Sequence, residues 1–183
     1  SRIVNANTFG ASAHKLAGSA YTLEQVITAG IENCKRACAP YGALTALDVG
    51  PLGELLEPSG TLAFEDAVAE YTRIVKAGEA AGADLIFFET YTDLYELKAA
   101  LLAAKENTHL PILASMSFEA GGRTFTGCTV ESFAATARGL GADAVGINCS
   151  LGPKEIFPMA KRLTEAVPGD FPVFVKPNAG LPR

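Results

Sequence analysis

Short apolar segments that end in polar residues recur along this sequence, and they restrict its fold more than any other feature. Each segment is too short for a helix and too continuously apolar for a strand with one face in water. That pattern is typical of parallel strands that are buried on both faces. We therefore predict six buried strands, at residues 3–9, 44–49, 84–90, 111–118, 143–149 and 171–177.

Helical patterns separate the predicted strands. The segment after Thr22 has apolar residues at a spacing of about 3.6, and Thr22 with Gln25 matches a capping box. Asp93 with Glu96 matches a second capping box, and Pro158 predicts a kink or a later start of the last helix. Further helical stripes begin near Phe64, Asp93, Val130 and Pro153. Strands and helices thus alternate, which predicts an α/β fold.

Two helices are predicted to end in nearly the same way, with Ala-Gly-Ala-Asp at 81–84 and Leu-Gly-Ala-Asp at 140–143. A glycine in this place is expected to adopt the left-handed conformation that ends a helix. The predicted strands start roughly 27 to 41 residues apart, which is the period of a strand, a helix and their connections.

The carboxyl ends of the strands decide between a doubly wound sheet and a barrel. Neither G-x-G-x-x-G nor a P-loop occurs in the sequence, which argues against a nucleotide-binding sheet. In a (βα)8 barrel these strand ends carry the chemistry. Here they carry Asn7, Asp48, Glu89, Ser117, Cys149 and Asn178. Because a complete barrel needs about 250 residues, we predict an incomplete TIM-type barrel with about six of eight βα units, as one domain over residues 1–183.

The charge balance and the apolar content exclude several classes of function. The 183 residues include 15 Lys and Arg against 20 Asp and Glu, a net charge of −5, which argues against a nucleic-acid or anionic membrane partner. No apolar run approaches the roughly 20 residues of a spanning helix. Residues 1–7 lack the pattern of a signal peptide. We expect a cytoplasmic protein with one apolar core.

Three strand-end residues could carry chemistry. Glu89 could bind a substrate ammonium or act as a general base, or it could merely cap a helix or form a salt bridge. Cys149 is a candidate nucleophile or zinc ligand, or a small buried apolar residue. Lys176 could form a Schiff base, as in a lyase or aldolase, or could pair with Glu89 or Asp48.

Five strings at the predicted strand ends together resemble the homocysteine S-methyltransferase family. They are NANTFG at 5–10, DVGPLGE at 48–54, FET at 88–90, GINCS at 146–150 and PNAG at 177–180. Within that family they are similar to the homocysteine-binding barrel of the cobalamin-dependent methionine synthases. Each string alone is weak, but the five occur in the order of the family.

The resemblance implies a substrate, a metal and a set of site residues. Homocysteine would be the substrate, and a zinc ion held by three cysteines would bind its sulfur as a thiolate, which accepts a methyl group to give methionine. Cys149 matches a zinc-ligand position and Glu89 matches the residue that holds the amino group. Asn7, Thr8 and Asn148 match positions that line the pocket.

The sequence also departs from the family pattern. The other two zinc cysteines belong to a Gly-Gly-Cys-Cys-Gly string and a substrate-binding Asp-Gly pair follows the first strand of the family, but neither occurs here. We therefore expect a segment that is inactive alone, within a parent protein whose further domains would bring cobalamin and methyltetrahydrofolate. The alternatives are a Schiff-base lyase that uses Lys176 and a non-catalytic interaction module. The edges of the strands at 3–9 and 171–177 also predict self-association.

Overall fold

A single sheet of six parallel strands, arranged in chain order, forms the centre of the computed structural model, which describes residues 2–180. The strands are β1 Ile3–Asn5, β2 Leu44–Val49, β3 Leu85–Tyr91, β4 Ile112–Met116, β5 Ala144–Asn148 and β6 Val173–Lys176. Each neighbouring pair is parallel. The sheet curls as part of a barrel and helices alternate with its strands, which confirms the predicted incomplete α/β barrel.

Five α-helices connect the strands. They are α1 Leu23–Cys38, α2 Phe64–Ala80, α3 Leu94–Asn107, α4 Val130–Gly139 and α5 Pro153–Glu165. The capping box at α1 is present, since Thr22 Oγ1 accepts from Gln25 N at 3.2 Å and Gln25 Oε1 accepts from Thr22 N at 2.9 Å. Gly82 and Gly141 have φ of 86° and 88°, so both predicted left-handed helix ends are confirmed.

The capping box predicted at α3 is wrong in one of its two residues. Asp93 caps the helix by accepting a hydrogen bond from Tyr95 N at 3.0 Å. Glu96 instead points into the core, where its Oε1 accepts from Leu52 N at 2.7 Å and from Tyr71 OH at 2.9 Å. Burial raises the pKa of the Glu96 carboxyl. Two buried donors hold this carboxyl more strongly than one exposed backbone N–H at a helix end would.

Some predicted boundaries also differ from the structure. β1 ends at Asn5 instead of residue 9, because the chain turns at once and Thr8 N donates to Ala6 O at 2.9 Å. β4 and β6 are shorter than predicted by a few residues at their ends. Helix α5 begins at Pro153 and continues through Pro158, so the later start does not occur.

The two faces of the sheet bury different sets of side chains. One face packs against the helices and forms the main core. The opposite face carries a small separate cluster of Ala46, Leu85 and Phe87, with Leu113 and Phe174 packed against it. The rings of Phe87 and Phe174 meet at a centroid distance of 5.2 Å. A Cβ at Gly146 would overlap the Phe174 ring, so glycine is required beneath it. We call these five clustered residues the apolar floor.

No helix within residues 2–180 combines the length and the apolar character that crossing a membrane requires. β1 and β6 stand at the two ends of the strand order. Self-association through these strands stays a prediction.

Candidate substrate-binding site at the strand ends

The polar residues predicted at the strand ends do come together at one edge of the sheet. Asp48 lies one residue before the end of β2 and Glu89 lies near the end of β3. Asn148 is the last residue of β5, Cys149 follows it, and Lys176 ends β6. All six strands run in the same direction, so these residues share the carboxyl edge that carries the active sites of barrels.

Glu89 and Lys176 form an ion pair at this edge. Lys176 Nζ lies 2.5 Å from Glu89 Oε2 and 4.6 Å from the centroid of the Phe87 ring. The Glu89 side chain is 14% exposed and that of Lys176 is 47% exposed. The ion-pair interpretation of Lys176 is thereby confirmed. A Schiff base needs a free amine, whereas here the amino group of Lys176 lies against a carboxylate and an aromatic face.

Asp48 is the residue whose importance the sequence did not reveal. It is 6% exposed, and within residues 2–180 its Oδ1 has no hydrogen-bond partner. Burial raises the pKa of the Asp48 carboxyl to about 7 and the charge of Glu89 adds to this rise, while Asn5 and Lys176 oppose it. A buried carboxyl oxygen that lacks a partner is costly for the fold, and such groups concentrate at functional sites. The sequence signals were its place at a strand end and in the string at 48–54; its burial was not among them.

Thr90, next to Glu89, has an unusual backbone that Asn148 stabilises. Its φ is 68°, which is rare for a β-branched residue. Asn148 Oδ1 accepts from Thr90 N at 3.0 Å, and Asn148 Nδ2 donates to Thr90 Oγ1 at 2.8 Å. Ser115 Oγ donates to the same Oδ1 at 2.8 Å. The register of β3 against β4 shifts here, between Phe88 and Tyr91. Asn148 therefore fixes the backbone that presents Glu89.

Thr8 and Asn7 lie in the turn after β1. Thr8 is buried, and its Oγ1 donates to Asp48 O at 2.8 Å and accepts from Asp48 N at 3.0 Å. Thr8 thus ties the turn to the end of β2. Asn7 is exposed in the same turn. The substrate-binding roles of Asn7, Thr8, Asn148 and Glu89 stay predictions.

Comparison with known proteins identifies the family of this chain. The sequence model of the family described as "Homocysteine S-methyltransferase" matches residues 1–183. The chain belongs to the homocysteine S-methyltransferase family. Methionine synthase from Mycobacterium tuberculosis is 36% identical over 106 residues, which are 55% of this chain and 9% of that protein. Methionine synthase from Mycobacterium leprae is 35% identical over the same shares. The match therefore spans about a tenth of these curated relatives.

A solved structure supports the fold of this homocysteine S-methyltransferase family member. The homocysteine methyltransferase MmuM from Escherichia coli, in its metallated form, superposes with a TM-score of 0.85. The superposition covers 98% of this chain and 68% of that one, at 21% identity. At this identity the likeness shows the shared fold.

Cys149 is the thiol that the family resemblance assigns to zinc. It is partly exposed, its φ is 63°, and its N–H donates to Lys176 O at 3.1 Å. Within residues 2–180, no three His, Cys, Asp or Glu side chains lie together so that they could hold a metal. The described residues alone therefore do not fit a zinc site.

The other three cysteines do not extend the candidate site. Cys34 and Cys38 are buried in α1 as part of the core, with their Sγ atoms 3.8 Å apart. Burial raises the pKa of the Cys128 thiol to about 11, so this thiol is protonated at neutral pH.

Asn148→Ala is expected to destabilise the fold by about 2 kcal/mol, because it leaves Thr90 N–H without its acceptor and leaves Ser115 O–H only the longer hydrogen bond to Phe88 O at 3.4 Å. Urea unfolding measures this change. Asn33→Ala, at an exposed position of α1, is the control and should change stability by less than about 0.5 kcal/mol. Equal stability of the Asn148 variant and the natural chain would show that these hydrogen bonds do not support the strand ends.

Proposed function

We propose that the protein containing this chain is a homocysteine S-methyltransferase of the methionine synthase type, which transfers a methyl group to the sulfur of homocysteine. The observation that carries the proposal is the position of Glu89. Its largely buried carboxylate lies at the carboxyl edge of a barrel sheet, next to the apolar floor, in a chain that matches this family.

The geometry around Glu89 suits the ammonium of an amino acid. A carboxylate with little exposure binds an ammonium through charge-assisted hydrogen bonds, and these strengthen where water is excluded. Lys176 already places one ammonium against Glu89 at 2.5 Å, so the carboxylate has the orientation that such a ligand needs. The apolar floor offers a surface for the methylene groups of a short side chain.

Zinc, cobalamin and methyltetrahydrofolate remain part of the proposal on the strength of the family resemblance. The metallated form of MmuM is in keeping with a metal, and Cys149 is the residue we propose as one ligand. Zinc would lower the pKa of a bound thiol, so that homocysteine reacts as a thiolate. The residues that the structure describes do not by themselves complete a metal site. A cytoplasmic location is likewise proposed.

The 183-residue chain by itself is expected to hold no stoichiometric zinc after dialysis, because one thiolate cannot supply the ligands that zinc needs. Elemental analysis of the dialysed chain tests this expectation. One zinc per chain that is lost in Cys149→Ser, but kept in the matched control Cys128→Ser, would contradict it and reveal further ligands.

Methionine formation by the full natural protein tests the proposed function. We expect L-homocysteine and methylcobalamin to give methionine, detected by mass spectrometry, and Cys149→Ser to abolish it. A second reaction with S-methylmethionine as the methyl donor separates the types: activity with this donor alone would keep the methyltransferase and refute the methionine synthase type. Absence of methionine with both donors, together with absence of homocysteine binding, would refute the proposal.

A further inference from the structure

The charged groups at the strand ends are unequal in number. Asp48 and Glu89 are two carboxyl groups, and Lys176 is the cation that acts on both of them. Lys176 forms its ion pair with Glu89, while Asp48 Oδ1 has no hydrogen-bond partner in the part of the chain that the structure describes. The cluster therefore contains one carboxyl oxygen that an additional cation could satisfy.

A substrate ammonium that binds Glu89 must share this carboxylate with Lys176, which already forms an ion pair with it. Two ammonium groups on one carboxylate repel each other, so the arrangement becomes more favourable when Lys176 moves to a second carboxyl group. Lysine has a flexible stem of four carbons, and the Lys176 side chain is 47% exposed, which leaves room for it to change rotamer. Asp48 is near enough for the Lys176 charge to lower the pKa of its carboxyl.

Asp48 itself is a poor first contact for a ligand. Asp48 is buried, including its unpartnered Oδ1, whereas Glu89 is partly exposed. An incoming ammonium therefore reaches Glu89 first. The lysine stem extends from the carboxyl end of β6, which pairs with β5 and not with the strands that carry Asp48 and Glu89.

We propose that Lys176 is an exchangeable counter-ion, which pairs with Glu89 before substrate binds and moves to the Asp48 carboxyl group when a substrate ammonium takes its place. Before binding, Lys176 pairs with Glu89 and Asp48 Oδ1 has no hydrogen-bond partner among the described residues; after binding, two cations pair with the two carboxyl groups. The inference rests on the proposed function and deepens it, since it makes Asp48 and Lys176 positioning residues that select ligands with a primary ammonium. A ligand without that group leaves Lys176 on Glu89.

Isothermal titration of the full natural protein tests the exchange with two probes. L-homocysteine carries the ammonium, and 4-sulfanylbutanoate is the same molecule without it. Asp48→Asn is expected to weaken L-homocysteine binding by at least about tenfold and to leave 4-sulfanylbutanoate binding within about twofold of the natural value. Unchanged binding of the second probe also shows that the variant is folded.

The decisive comparison repeats Asp48→Asn in a Lys176→Met background. In this background Asp48 has no lysine to pair with, so the Asp48→Asn change should alter L-homocysteine affinity by less than about twofold. Lys176→Met alone should bind L-homocysteine at least as tightly as the natural protein. If Lys176→Met fails to fold, Lys176→Gln serves in its place.

The possible outcomes separate the exchange from the proposed function. Equal weakening by Asp48→Asn in both backgrounds would mean that Asp48 contacts the ammonium itself, and would overturn the exchange. So would an Asp48→Asn variant that binds L-homocysteine as tightly as the natural protein. Failure of the natural protein to bind L-homocysteine at all would instead refute the proposed function, and the exchange with it.

Discussion

Glu89→Ala is expected to weaken the binding of L-homocysteine to the full natural protein by about a hundredfold, which corresponds to about 3 kcal/mol. The variant removes the largely buried carboxylate at the end of β3 and leaves the substrate ammonium without its charged partner. Isothermal titration measures the affinity. The zinc content should not change, because Glu89 is not among the proposed ligands. The fold should survive, because the Lys176 ammonium released by the change is accessible to water.

Glu106→Ala is the matched control for this result. Glu106 is an exposed glutamate near the carboxyl end of α3. The chain continues from there to the start of β4, so Glu106 lies at the edge of the sheet opposite to the candidate site. Its loss should alter the affinity by less than about twofold. If Glu89→Ala binds L-homocysteine as tightly as the control does, then Glu89 does not belong to the binding site.

Asp48→Asn is expected to stabilise the fold at pH 8 by up to about 4 kcal/mol. Burial and the charge of Glu89 raise the pKa of Asp48 from 3.8 to about 7 in the folded chain. The folded state therefore binds a proton more tightly than the unfolded state does. Stability is lost as pH rises from about 4 to about 7, and the full cost is present above that range. Asparagine carries no charge, so the gain of the variant grows across the same range.

Urea unfolding at pH 5 and at pH 8 measures this difference. The stabilisation should be clearly larger at pH 8 than at pH 5, and Asp170→Asn, at an exposed aspartate, should show no such dependence. Equal stability of Asp48→Asn and the natural chain at pH 8 would mean that the Asp48 carboxylate is solvated or paired in solution. A residue that costs stability where it stands is typical of a site kept for function.

Much of the fold was predictable because its signals are local. Each buried strand appears as its own apolar run, and the left-handed ends at Gly82 and Gly141 depend on a few adjacent residues. The positions of Glu89 and Cys149 at one edge followed from parallel strands, since all carboxyl ends of such a sheet coincide.

The parts of the site that escaped prediction depend on partners far along the chain. Glu96 fits the pattern of a capping residue, and only the buried donors Leu52 N and Tyr71 OH draw it inward. Similarly, nothing next to Thr90 in the sequence announces its positive φ, because the hydrogen bonds that hold it come from Asn148, 58 positions away. Such arrangements belong to tertiary structure, and a pattern of residue types along the chain does not contain them.

Asn148 joins two parts of the site that would otherwise belong to separate loops. Its side chain holds Thr90, the neighbour of Glu89, and its main chain runs directly into Cys149. Asn148 therefore holds the Glu89 carboxylate and the Cys149 thiol at a fixed separation. On the proposed function, a ligand that binds at both Glu89 and Cys149 must match the distance between these residues. L-Cysteine is one methylene shorter than L-homocysteine and should therefore compete poorly for the site.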